Sequence, residues 1–162
     1  MHKLNEHRAG SLSWDNYFMS IARLSAMRSK DPSTQVGACL VSEDNRILSV
    51  GYNGTPNGFS DEHFPWKTTY ESYDKHYFAI HAERNALSNY RGDKRDLVGA
   101  KIYVDLFPCN ECAKELIQSG IKEVIYLSDK HADVDIYIAS KILFKICGII
   151  YRQLTNYTEK LV

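Results

Sequence analysis

The second half of the chain alternates between two kinds of segment, and this limits the fold more than any other feature. Lys101 to Phe107 reads as a strand, Asn110 to Gln118 as a helix closed by Gly120, and Lys122 to Leu127 as a strand. Val134 to Ile146 then reads as a helix and Ile149 to Leu154 as a last strand. Strands separated by helices pair in parallel, because the chain must cross a sheet face to return. The first half is built differently. From Ser13, a plausible N-cap, the apolar residues Trp14, Tyr17, Phe18, Ile21, Leu24 and Met27 recur at helical spacing, which assigns them to the core, and Asp31-Pro32 ends that helix. Val36 to Val41 and Arg46 to Tyr52 flank a Ser42–Asn45 turn, as in a hairpin, and a helix is expected from about Ile80 to Tyr90. A hairpin followed by helix–strand units predicts an α/β fold with a mixed sheet and helices on both faces.

The 162 residues fit one domain, expected over residues 13–162, after a loose polar arm at 1–12. Residues 62–79 read as an irregular insertion. Lys plus Arg equals Asp plus Glu at 20 each. Clamping long nucleic acid calls for a basic excess, so this balance argues against a nucleic-acid partner and leaves a small anionic ligand open. No apolar signal core begins the sequence, and no run approaches the roughly 18 residues that cross a membrane, so no membrane partner is expected. Of the cysteines at 39, 109, 112 and 147, only one pair is close in sequence. That is unlike a secreted disulfide framework, and a reducing cytoplasm is the simplest setting.

His81-Ala82-Glu83 is followed, after 24 residues, by Pro108-Cys109-Asn110-Glu111-Cys112. Zinc accepts imidazole nitrogen and thiolate sulfur, and Cys-x-x-Cys can place two sulfurs on one ion. Cys109 and Cys112 fall at a helix N-terminus, where unpaired amides and the helix dipole favour thiolates. His81, Cys109 and Cys112 make three ligands, the number that leaves a catalytic ion one open position. Cys39 and Cys147, the other thiols, read as small core residues. Glu83, two residues beyond the histidine, is placed to move protons without binding metal itself. Either motif alone is weak, since Cys-x-x-Cys also serves redox and structural roles. Their combination in this order is specific.

This arrangement resembles the zinc cytidine deaminase superfamily, with its H-x-E and P-C-x-x-C elements. Within it the chain is most similar to the deoxycytidylate deaminases. The likeness runs through Arg28–Ala38 (RSKDPSTQVGA), Gly51–Gly58 (GYNGTPNG), Phe64-Pro65-Trp66, Leu106–Lys114 (LFPCNECAK) and Ser128-Asp129-Lys130. The resemblance implies a three-layer α/β/α fold around a five-stranded mixed sheet, and zinc-dependent hydrolysis of dCMP to dUMP and ammonia, supplying thymidylate synthesis. It further implies that Glu83 serves cytosine N3 and the departing amine, and that the Ala82 amide holds the pyrimidine carbonyl. Asn53 would bind the sugar, and Arg28 and Lys30 the 5′-phosphate. A homohexamer is implied, activated by dCTP with Mg2+ and inhibited by dTTP through the region of Asn57, Gly58, Asp61 and Glu62.

The chain departs from that family pattern at two positions. His131 stands where a tyrosine is usual, which bears on selectivity between mono- and triphosphate, and Arg84 replaces an apolar residue, reaching either a neighbouring subunit or solvent. The alternative readings are a deaminase of dCTP or of nucleic acid, and a nucleotide-sensing zinc protein without turnover.

Overall fold

The computed structural model describes residues 7–159. Residues 7–12 are exposed and carry no helix or strand, and the rest of the expected arm lies outside the described residues. Helix α1 spans Trp14–Ala26, with the Ser13 side chain accepting a hydrogen bond from Asn16 N at 3.2 Å as its N-cap. It stops well before Asp31-Pro32. Met27 N and Arg28 N bond to carbonyls only three residues back, the tightening that closes a last turn.

Strands β1 (Gly37–Val41) and β2 (Ile47–Tyr52) pair antiparallel, as the hairpin reading expects. Helix α2 (Ala82–Asn89) follows, then β3 (Lys101–Leu106), α3 (Asn110–Gln118), β4 (Glu123–Ser128), α4 (Asp135–Ile146) and β5 (Ile150–Gln153). The sheet order is β2-β1-β3-β4-β5. β1 runs antiparallel to β3, while β3, β4 and β5 are mutually parallel. Gly120, at φ 87°, takes the left-handed conformation that lets the chain leave α3 sharply.

Alternate residues of the strands feed two cores, giving three unequal layers. Ala38, Leu40, Ile102, Val104 and Val124 face Ala82 and Ala86 of α2, Leu116 of α3 and Phe144 of α4. Cys39, Val41, Tyr103 and Ile125 face Phe18, Met19 and Ala22 of α1. The stripe that α1 buries is not the one its large residues mark. Phe18, Met19, Ala22 and Ala26 are buried, whereas Trp14, Tyr17, Leu24 and Met27 are exposed, Met27 by 73%. The reason is close approach: a Cβ on Gly37 would sit 1.8 Å from Ala22 O. Where α1 meets Gly37 its sheet side therefore takes Ala22 and Ala26, with Phe18 and Met19 buried one turn earlier, and Trp14, Leu24 and Met27 are left outside. Cys39 is buried as expected, but Cys147, at the end of α4, is exposed and not a core residue.

Residues 55–79 leave the sheet as one long excursion, closed at its base where Gly54 and Ile80 exchange two backbone hydrogen bonds of 3.0 and 2.9 Å. It is held by rings rather than by regular structure, with Phe59 5.1 Å and Trp66 4.4 Å from Phe64 between centroids. Among the described residues, no helix is long and apolar enough to cross a membrane.

Candidate active site

Two helix N-termini converge beyond the sheet. His81 is the N-cap of α2 and Cys109 the N-cap of α3, and Cys112 lies one turn into α3. Each end presents backbone N–H groups without intrahelical partners, so this corner favours anionic sulfur. His81 Nδ1 stands 3.4 Å from Cys109 Sγ and 3.4 Å from Cys112 Sγ. Tetrahedral zinc, with bonds of about 2.1 Å to nitrogen and 2.3 Å to sulfur, needs those atoms roughly 3.6 Å apart, so the three residues fit the ion. Among the described residues this is the single group of three or more such side chains close enough to hold a metal.

The chemistry of the donors agrees with their spacing. The Cys112 thiol, and then His81, hold Cys109 well below the usual thiol range, at about 4. The adjoining Cys109 and burial push Cys112 upward, so the two sulfurs share one proton. Contact with Cys109 raises His81 to about 9. These protons are the ones a metal dication displaces on binding.

Glu83 is 4% exposed, and burial pushes its carboxyl up to about 7. A carboxyl there exchanges protons near neutral pH. It lines a cleft with His81, Ala82, Cys109, Asn53, Thr34, Asp31, Lys75, Phe107, His131 and Tyr137. Ala82 opens α2, so its N–H belongs to the unpartnered first turn. Asn53 is largely committed to the fold: its Oδ1 accepts from Val36 N at 2.8 Å and its Nδ2 donates to Thr34 O at 2.9 Å. One Nδ2 hydrogen remains for a ligand. His131 stacks on Tyr137, with centroids 5.4 Å apart and rings at 30°.

Arg28 and Lys30 are not in this cleft. They line a second pocket with Tyr52, Thr55, Asn57, Gly58, Asp61 and Trp66, on the other side of α2. Arg28 lies over the Tyr52 ring at 5.8 Å, and Lys30 pairs with Asp61 at 2.5 Å. Asn57, Gly58 and Asp61 are thus brought together as a set, while Glu62 is exposed and outside it. Arg84 finds a partner within the chain. Its Nε donates to Glu115 at 2.7 Å, bridging α2 to α3 close to the metal ligands.

The sequence reading missed Lys75 and Asp31 in the cleft. Lys75 Nζ lies 2.6 and 2.8 Å from the two Asp31 carboxylate oxygens. Asp31 sits inside the matched Arg28–Ala38 stretch, but Lys75 lies in the irregular excursion, where no periodicity or motif marks it.

The family model for the cytidine and deoxycytidylate deaminase zinc-binding region matches residues 12–128. The chain belongs to this deaminase family. Deoxycytidylate deaminase of Mus musculus is 50% identical over 153 residues, covering 93% of this chain and 85% of the relative. The Homo sapiens deoxycytidylate deaminase is 49% identical over the same length. Among solved structures, dCMP deaminase from the cyanophage S-TIM5, in complex with dCMP and dUMP, superposes with a TM-score of 0.66 at 26% identity. That match covers 85% of this chain and 94% of the other. Membership accounts for the three-layer fold and makes this chain a zinc-dependent deaminase.

Proposed function

We propose that the chain hydrolyses dCMP to dUMP and ammonia, supplying thymidylate synthesis. The observation that carries this reading is a buried carboxyl, Glu83, lining one cleft with a three-ligand His–Cys–Cys set. The names of its relatives support the choice of nucleotide.

Zinc held by His81 Nδ1, Cys109 Sγ and Cys112 Sγ would make water nucleophilic near neutral pH, for attack at C4 of the base. Glu83 accepts the proton of that water, carries it to N3, and then serves the departing amine. Its buried position in the cleft beside the metal set suits it to both transfers. The Ala82 N–H donates to the pyrimidine carbonyl, and the remaining Asn53 hydrogen is available to the sugar. Phe107 and Tyr137 wall the cleft and exclude water from the base.

The second pocket is assigned to an effector nucleotide, dCTP with Mg2+ as activator and dTTP as inhibitor. Arg28 and Lys30 supply the positive charge that polyphosphates require, beside Asn57 and Gly58. A hexameric assembly is assigned by the family resemblance, and self-association itself is supported by the exposed Trp14, Tyr17 and Leu24 of α1, Met27 just beyond it, and the exposed Ile138, Ile142 and Ile146 of α4. Free thiols at Cys39, Cys109, Cys112 and Cys147 suit a reducing cytoplasm.

The test is ammonia release from dCMP, dCTP, deoxycytidine and a short deoxycytidine oligomer. dCMP is expected to give the highest kcat/KM, and turnover of the oligomer alone would overturn the substrate assignment.

A further inference from the structure

We propose that Lys75 grips the 5′-phosphate of the substrate. This rests on the nucleotide reading above and assigns the part of it that Arg28 and Lys30 leave vacant. A nucleoside monophosphate in the cleft places its base against Glu83 and needs a cation for its phosphate. Lys75 is the one lysine or arginine lining that cleft among the described residues.

Its setting suits the task. The Lys75 side chain is 14% exposed, and Asp31 takes two of its three N–H donors. One N–H remains. Asp31 is itself fixed, accepting from Ser33 N at 2.8 Å and Thr34 N at 3.3 Å. Four hydrogen bonds thus occupy the carboxylate and hold the ammonium still, in contrast to the usual mobility of a lysine head. An anchored donor loses little freedom on binding, so its bond to a dianion counts almost in full. Thr34 lines the cleft from the same turn and offers a hydroxyl alongside. The other basic side chains lining the cleft are less firmly fixed for this role: His76 is 76% exposed and faces Asp74, and His131 is held through its ring face on Tyr137 rather than by a hydrogen bond.

A merely structural role, clamping the excursion to the Asp31 turn, would affect every ligand alike. A phosphate contact would affect only ligands that carry phosphate. The experiment therefore measures competition by dUMP and by deoxyuridine on zinc-loaded wild type and Lys75→Met. Loss of one charge-assisted bond should weaken dUMP about 10- to 100-fold while deoxyuridine moves less than about twofold. Because Lys75→Met leaves Asp31 buried without its partner, the measurement is repeated in Asp31→Asn/Lys75→Met, where the same selective loss is expected. If the dUMP-to-deoxyuridine ratio stays at the wild-type value in both variants, the phosphate role is overturned. A wild type that does not turn over dCMP would instead sink the substrate reading, so the two failures are distinguishable.

Discussion

The two cavities on either side of α2 treat charge in opposite ways. On the metal side, carboxyl and sulfur are buried: Glu83 is 4% exposed and raised to about 7, and the sulfurs of Cys109 and Cys112 share a proton. On the other side, Asp61 is more than a third exposed and paired, and its hydrogen bond from Lys30 lowers its pKa. Burial sets the proton affinity of Glu83 in the first cavity, and pairing sets that of Asp61 in the second. The first is suited to moving protons, and the second only to holding a charged ligand.

The severest challenge to this contrast is removal of a metal ligand. Cys109→Ala or Cys112→Ala should lose bound zinc and more than about 10²-fold in turnover, since even outer partners of a metal ligand contribute up to that much. Metal analysis of the purified variants gives the first readout. Glu83→Gln preserves size and burial, so zinc content and melting temperature should hold while kcat falls at least about 10²-fold. Near-wild-type turnover would mean that the buried carboxyl has no part in proton transfer.

Asp105 sharpens the comparison away from either cavity. It is buried, accepts from Gly37 N at 2.8 Å, stands 3.6 Å from Arg23, and is raised by burial to about 6. A carboxyl whose pKa is raised on folding adds stability that is complete below about pH 4 and lost as pH climbs through 6. Asp105→Asn should remove that slope, worth on the order of 2–3 kcal/mol, in urea titrations between pH 4 and 7. A slope identical to wild type would show that Arg23 and the Gly37 N–H cancel the effect of burial. The smallest effect is expected in the second cavity. Arg28→Gln with Lys30→Gln should weaken the response of the dCMP saturation curve to dCTP and dTTP by about tenfold. An increase in KM for dCMP with the effector response intact would return these two residues to the substrate, where the sequence placed them.

The grouping of His81 with Glu83 and of Cys109 with Cys112 was legible because each pair lies within three residues, whereas the meeting of the two pairs is tertiary. The mixed character of the sheet was legible from alternation, since helix-separated strands pair in parallel while the hairpin pairs antiparallel. The buried stripe of α1 was not: size marks Trp14, Leu24 and Met27, but the close approach of Gly37 selects Ala22 and Ala26. Arg28 and Lys30, close to Asp31 in the chain, were assigned to the 5′-phosphate by the family resemblance. The backbone sends their side chains to the opposite side of α2 from that carboxylate. Lys75 and the Arg84–Glu115 pair depend on contacts 44 and 31 residues apart, which no local pattern encodes.

Lys30 holds Asp61 and Asp31 holds Lys75, so neighbouring residues tether the 55–79 excursion at two points far apart along it. A single amide plane joins these moorings, and amide planes resist twisting. The rims of the two cavities are thus pinned to the main chain at adjacent Cα atoms, about 3.8 Å apart.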